Sequence, residues 1–318
     1  MTKLTKAEVS AFLKERDNFT IISHRRPDGD TLGSTALLCM GLRQMGKNAN
    51  ILENPEITPK YAHLHKGLTK PCVCEGDTLV SVDVASENML PGDFPDVSIA
   101  LRLDHHGNST SFTEFELVEP DRAACGEVVF DILQELGVQL DIPMADALYT
   151  AISTDTGCFR YANTTENTFR VAACCAAAGA QIFAINQALF ETNSLGRLRL
   201  QGWLTENALF LEEGAVAICP LPKAIMEQLN LQEDDMENIS GFPRSIEGVK
   251  IAATLREDEI GKIKLSIRSI PGYDAGAICA KFGGGGHKGA AGANLTMPMG
   301  AAIQAVKDAI LETLAAFG

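Results

Sequence analysis

The sequence predicts an α/β protein in two domains, the first built on a mainly parallel sheet flanked by helices. Three observations carry that reading. Residues 18–178 alternate short apolar runs with segments of helical spacing, the pattern of buried strands joined by crossover helices. Beyond residue 208 the pattern changes to strand-like runs, one of them alternating with period two. A length of 318 residues exceeds one typical domain and leaves either part enough chain for its own core.

Taken in order, residues 18–23 (NFTIIS) read as a buried strand, followed by a polar loop and a helix over 33–46. Residues 50–52, 78–84 (TLVSVDV) and 97–103 (VSIALRL) read as three further strands. Helical spacing over 122–136 closes at Gly137, the residue type that tolerates the left-handed end of a helix. Pro143 opens the next helix, to about 153, and 165–178 forms another. An amphipathic stretch over 191–208 reads as a connecting helix, so the expected domains are 1–190 and 209–318. In the second, 215–219, 249–255 and 262–268 read as strands, the last half-exposed, and a final helix starts near 300. The acidic run 233–235 reads as solvated surface.

A net charge of -14 argues against a protein that grips long duplex nucleic acid through many phosphate contacts. It is compatible with a short anionic substrate, because bound cations can invert the local field. Nine cysteines, with Cys174 next to Cys175 and one residue between Cys72 and Cys74, match neither a disulfide framework nor a zinc knuckle. The charged N-terminal segment lacks the apolar core of a secretory signal, and no apolar run is long enough to span a membrane. The expectation is a cytoplasmic protein with no membrane partner.

The strongest local signal is His24-Arg25-Arg26-Pro27-Asp28-Gly29-Asp30, directly after the first buried strand. Ligand sites of open α/β sheets form at that edge. Asp28 and Asp30, one residue apart in an extended loop, can address two neighbouring ions. Asp83 ends a strand inside an apolar run, where an unpaired carboxylate is costly. The next strand ends in Asp104-His105-His106, and Asp155 follows a helix in Thr154-Asp155-Thr156-Gly157. Strand and helix ends thus deliver carboxylates and imidazoles to what can be one edge of the sheet.

This set, His-x-x-x-Asp-x-Asp, a later Asp, Asp-His-His and a further Asp, resembles the signature of the DHH phosphoesterases. That family includes RecJ exonucleases, family II inorganic pyrophosphatases and NrnA-like oligoribonucleases that also act on 3′,5′-bisphosphate nucleotides. The segment Phe282-Gly283-Gly284-Gly285-Gly286-His287-Lys288-Gly289-Ala290-Ala291-Gly292 resembles the glycine-rich motif of the DHH-associated C-terminal domain. The likeness covers nearly the whole chain, and the compact length points to the NrnA-like branch. It implies two divalent metal ions, Mn²⁺ by preference, with His24, Asp28 and Asp83 on one and Asp30, Asp83, His105 and Asp155 on the other. It further implies that Asp104 orients an imidazole and that His106 faces the phosphate.

Four consecutive glycines can be a mere linker, yet His287 and Lys288 follow them, and small residues let backbone N–H groups approach a phosphate. Arg268, followed by Ser269, resembles the family's second phosphate contact, a task that suits the guanidinium fork. The expected substrate-binding set is Arg268, Ser269, Gly284, Gly285, Gly286 and His287, and the active site is expected in a cleft between the domains. The function implied is hydrolysis of short single-stranded oligonucleotides to nucleoside monophosphates, together with a 3′-phosphatase activity on adenosine 3′,5′-bisphosphate. A linear or cyclic dinucleotide phosphodiesterase is the alternative within the same chemistry. A catalytically inactive nucleotide-binding regulator is the alternative from another class. A homodimer is compatible with all three.

Overall fold

The computed structural model describes residues 2–92, 94–236 and 239–317, with side chains up to residue 314. The chain divides into two compact units, Met1–Thr192 and Asn193–Gly318.

Among the described residues of unit 1, seven strands form one sheet. They are β1 (Thr2–Lys3), β2 (Phe19–Ile22), β3 (Ala49–Leu52), β4 (Thr69–Lys70), β5 (Thr78–Val82), β6 (Leu101–Asp104) and β7 (Phe115–Val118). All neighbours pair parallel, in the order β1-β7-β6-β5-β2-β3-β4. The chain progresses outward from β2 through β3 to β4 on one side and from β5 through β6 to β7 on the other, where the N-terminal β1 adds the edge strand. The junction of β2 and β5 is therefore the switch point of the sheet, where an open α/β fold leaves a crevice at the strand C-termini. Helices α1 (Lys6–Glu15), α2 (Gly29–Gln44), α3 (Cys125–Glu135), α4 (Ile142–Asp155), α5 (Glu166–Ala177) and the short α6 (Ile182–Asn186) complete the unit. Its core joins β2, β5 and β6 side chains such as Ile21, Val80 and Leu103 to Leu37, Val128 and Leu148 of the helices.

Two departures from the sequence reading bear on function. The helix expected over 33–46 begins four residues earlier, at Gly29, because Asp28 caps it: the Asp28 carboxylate accepts the Thr31 N–H at 3.1 Å. Asp30 therefore lies in the first helical turn and not in an extended loop. Strand β7 has no counterpart in the sequence reading, because Glu116 interrupts its apolar pattern. Glu116 is buried and accepts from the fully buried Arg102 of β6 at 2.6 Å, so the pair spans adjacent strands and conceals the strand.

Helix α2 lies against α4 through small residues. A Cβ at Gly29 would sit 2.4 Å from Thr154, and one at Gly33 only 2.3 Å from the Ala147 carbonyl. That close approach brings the start of α2, with Asp30, to the end of α4, with Asp155.

Unit 2 opens with α7 (Leu195–Asn207), whose Leu200 and Leu204 pack on Cys219, Leu221 and Ile239. Its sheet has the order β12-β13-β11-β10-β9-β8, with β8 (Leu209–Leu211), β9 (Val216–Leu221), β10 (Ile251–Glu259), β11 (Lys262–Ser269), β12 (Gly285–Gly286) and β13 (Ala290–Thr296). Pairing is antiparallel except between β9 and β10. Helices α8 (Lys223–Gln228), α9 (Ala275–Ala280) and α10 (Met299–Phe317) complete it. One face of the sheet is apolar, where Ile251, Leu265 and Ile267 meet Ala302, Val306 and Ile310 of α10. No helix among the described residues is long and apolar enough to cross a membrane.

Candidate metal centre

At the switch point of unit 1, His24 follows β2, Asp83 follows β5, and Asp104 ends β6 with His105 and His106 behind it. The start of α2 adds Asp28 and Asp30, and the end of α4 adds Asp155. Two triads each place one ligand atom per residue within 4.8 Å of the others: His24 with Asp28 and Asp83, and Asp30 with His105 and Asp155. A third triad, Asp83 with His105 and His106, overlaps both. All six residues read from the sequence as metal ligands converge here. His105 Nε2 stands 3.6 Å from Asp30 Oδ2, 3.6 Å from Asp83 Oδ1 and 3.5 Å from Asp155 Oδ2.

Most of these donors are held by a second group. The His24 Nδ1–H donates to the Arg25 carbonyl at 2.6 Å, and the His105 Nδ1–H to the Arg122 carbonyl at 3.1 Å. With carbonyl acceptors on Nδ1, the proton resides there, and both rings turn a lone pair on Nε2 into the site. Asp30 accepts the N–H groups of Cys125 and Gly126, the positive end of α3, and the Ser34 hydroxyl at 2.8 Å. The Thr31 hydroxyl donates to Asp83 Oδ2 at 2.6 Å. Asn54, buried, donates to the Ser23 hydroxyl at 3.0 Å and the His24 carbonyl at 2.9 Å, clamping the loop that carries His24. The sequence reading missed Thr31, Ser34 and Asn54. The first two were within reach, since they stand three and four residues beyond Asp28 and Asp30, the helical capping and side-chain contact spacings.

The electrostatics favour a cation. Asp83 and Asp30 are almost wholly buried, and burial plus the neighbouring carboxylates pushes Asp83 well above the ordinary carboxylate range; burial raises Asp30 as well. Burial and the charges of Asp30 and Asp28 push Asp155 up to about 8. Asp83 Oδ1 is buried without a hydrogen-bond donor, and the Asp83 backbone has a φ of 61°, a left-handed conformation that costs a non-glycine residue energy. An orphaned carboxylate oxygen among like charges and imidazole lone pairs fits divalent metal ions. Mixed carboxylate and imidazole ligation, without thiolate, suits them.

Asp104 behaves differently from its neighbours. Its Oδ1 accepts the His105 and His106 backbone N–H groups and the His106 Nδ1–H, the last at 2.8 Å. Burial pushes its pKa up, but His106, those N–H groups and the Arg102 guanidinium at 3.7 Å outweigh it and hold the carboxyl below its ordinary range. Asp104 is therefore an ionised holder of His106, whose ring is 41% exposed and stands 3.5 Å from Asp83. His65, given no role by the sequence, is buried against Thr35 and the Leu32 carbonyl of α2, and burial lowers its pKa to about 4. It is a neutral packing group.

In unit 2, Arg268 with Gly285 and Gly286 lines a pocket of about 490 Å³ on the sheet face opposite the core. The glycines differ in duty. A Cβ at Gly284 would meet the Gly292 carbonyl at 2.2 Å, so backbone packing demands glycine there, whereas Gly285 faces open space. His287 is exposed, and its N–H donates to the Ala290 carbonyl. Ser269 is buried and donates to the Lys288 carbonyl at 2.7 Å, so its hydroxyl fastens the glycine-rich segment to β11 and does not face the pocket.

Residues 18–152 match the DHH family, N-terminal domain, and residues 215–316 match the DHHA1 domain. The bifunctional oligoribonuclease and PAP phosphatase NrnA of Thermus thermophilus is 33% identical over 301 residues, 94% of this chain and 90% of that one. An exopolyphosphatase-related protein from Bacteroides fragilis superposes with a TM-score of 0.88 at 23% identity, over 98% of this chain and 97% of that one. RecJ from Thermus thermophilus in complex with Mn²⁺ superposes with a TM-score of 0.54 at 17% identity, over 98% of this chain and 55% of that one. At such identities the two structural likenesses are likenesses of fold.

Proposed function

The chain belongs to the DHH family, and from that premise we propose that it is a divalent-metal phosphoesterase that hydrolyses short single-stranded oligonucleotides to nucleoside monophosphates. The same centre removes the 3′-phosphate of adenosine 3′,5′-bisphosphate, in keeping with the name of the Thermus thermophilus relative. The observation that carries the reading is the position of Asp83, within ligand distance of both His24 and His105. A carboxylate so placed can bridge two ions, with His24 and Asp28 completing one set and Asp30, His105 and Asp155 the other. The donor chemistry favours Mn²⁺ over Ca²⁺, which prefers oxygen ligands alone.

Two such ions, when bound, polarise phosphoryl oxygens and acidify water. The chain's own groups do the rest. Asp104 accepts the Nδ1–H of His106 and stabilises the imidazolium form of the ring, whose Nε2–H can meet the phosphate and pass its proton to the departing oxygen, leaving the neutral Nδ1–H imidazole. Arg268, the backbone of Gly284, Gly285 and Gly286, and His287 hold a phosphate of the substrate away from the scissile bond. Ser269 keeps that segment seated.

The test is a panel of di- to decanucleotides, cyclic dinucleotides, adenosine 3′,5′-bisphosphate and pyrophosphate, offered to chelator-treated enzyme with and without Mn²⁺. Mn²⁺-dependent release of nucleoside monophosphates from the shortest chains is expected. Preference for cyclic dinucleotides, or no hydrolysis of any oligonucleotide with metal restored, overturns the reading.

A further inference from the structure

The face of the unit 2 sheet opposite α10, covered by α7 over Cys219 and Leu221 but leaving a pocket beside them, carries more than the glycine-rich segment uses. In the β10–β11 register Ala252 faces Arg268, Thr254 faces Ser266, and Arg256 faces Lys264. Ala253, Leu255, Ile263 and Leu265 point into the core, so strand alternation sends Thr254, Arg256, Lys264 and Ser266 to the other face beside Arg268. These side chains line the same 490 Å³ pocket.

Two features of that pocket ask for a ligand. Thr254 is 2% exposed, lines the pocket, and its hydroxyl has no hydrogen-bond partner. An unsatisfied buried hydroxyl is costly and rare. Arg256 and Lys264 are like charges directly opposite on paired strands, an arrangement that destabilises a sheet. Asp258 at 2.6 Å and Glu233 at 3.8 Å balance Arg256. Lys264 is exposed, and no salt bridge offsets its ammonium among the described residues.

We propose that Lys264, with the hydroxyls of Thr254 and Ser266, forms a second anion subsite that takes a further backbone phosphate of a single-stranded oligonucleotide. Arg268 and Lys264 are four residues apart on β11, roughly 13 Å along the strand, too far to grip one phosphate together. The pocket volume lies in the range that encloses a small organic ligand and far exceeds a lone phosphate. The inference rests on the reading of the metal centre as an oligonucleotide hydrolase and narrows its substrate. Chains of three or more phosphates gain from Lys264, and a dinucleotide does not.

The experiment measures binding of 5′-phosphorylated, 3′-fluorescein dinucleotide and pentanucleotide to the full-length protein in chelator, by anisotropy over a salt series. Lys264→Ala should weaken pentanucleotide binding about tenfold and flatten its log–log salt slope by about 0.7, the loss of one phosphate contact on a single strand. Dinucleotide binding should not change, and Lys264→Arg should restore most of the loss. Thr254→Val, which keeps the buried shape, should weaken the pentanucleotide alone. Equal loss at both lengths, no loss at either, or a wild type that binds the pentanucleotide no tighter than the dinucleotide overturns the subsite. Wild-type hydrolysis of both oligonucleotides with Mn²⁺ is measured beside it. Its absence sinks the assignment of the metal centre, and the binding comparison still decides the subsite.

Discussion

On the proposed reading the two units build binding surfaces of opposite sign by opposite means. In unit 1, Asp30 and Asp83 are 1% and 2% exposed, and helix starts, hydroxyls and backbone carbonyls hold their neighbours. In unit 2, Lys264 and Gly285 are exposed on paired strands, and His287 is exposed in the turn between β12 and β13. The contrast follows from the ligand. A divalent cation demands several desolvated carboxylates at short range, which repel one another until it arrives. A phosphate chain can be met by solvated cations and backbone N–H groups, which need no burial to act. The cation site should thus be intolerant of change in every measurement, and the anion face should fail only for substrates that reach it.

The harshest test of that contrast removes Asp83. Asp83→Ala takes a donor from both ligand sets, so turnover should fall nearly to nothing and calorimetric Mn²⁺ binding should be lost. Asp104→Ala, which frees His106 but leaves the six ligands in place, should cost on the order of 10–100-fold in kcat while Mn²⁺ still binds. If Asp104→Ala abolishes metal binding in a folded protein, Asp104 has a more direct part than holding His106.

A milder and selective effect is expected from unit 2. Arg268→Ala and His287→Ala should leave Mn²⁺ affinity unchanged. They should lower kcat/KM for a dinucleotide by about tenfold to a hundredfold, the value of a charge-assisted phosphate contact of roughly 1.5–3 kcal/mol. Hydrolysis of bis-p-nitrophenyl phosphate, which has no remote phosphate to bind, should hardly move. Equal losses on both substrates would count against the division of labour between the units.

The two regions also differed in how much of them could be read in advance. The clustering of carboxylates and imidazoles was legible because His24, Asp83 and Asp104-His105 stand at strand ends, where an unpaired buried carboxylate is costly, and Asp28 and Asp30 follow His24 within one short motif. The parallel sheet was legible because short apolar runs alternate with segments of helical spacing over residues 18–178. Strand β7 was not, since Glu116 makes sense only beside Arg102, a partner 14 residues away whose burial no local pattern reveals. The start of α2 was misjudged because Pro27 and Gly29 look like loop formers, whereas the Asp28 cap and the contact of Gly29 with Thr154 make them a helix entry. On the pocket face of unit 2, the period-two pattern of β11 was evident, but its pairing register with β10 was not. Without the register, Thr254 and Lys264 could not be set on one surface.

The smallest expected effect is on stability, and it isolates the repulsion within the cation site. Without metal, Asp155 titrates at about 8 in the folded chain, and Asp83 and Asp30 are also raised. In the unfolded chain each returns to the ordinary carboxylate value near about 4. Between those limits the folded chain binds more protons than the unfolded one, so metal-free stability falls as pH rises. Asp104 has the opposite sign but acts only in acid below the usual carboxylate range. His65, kept neutral by burial with its pKa lowered to about 4, also adds stability as pH rises toward the ordinary histidine value. It offsets only part of the Asp155 trend, at the acid end of the window from pH 5.5 to 8.5. The melting temperature of chelator-treated protein should therefore drop by a few degrees across that window. Mn²⁺ should reverse the trend, because the ions replace the protons and bind more tightly as the carboxylates ionise. Asp155→Asn, which keeps the shape and removes one titrating group, should flatten the metal-free slope. Arg268→Ala, on the solvated face, should leave it intact. A metal-free melting temperature that stays level or rises from pH 5.5 to 8.5 would mean that the buried carboxylates do not strain one another, and the contrast between the two surfaces would lose its physical basis.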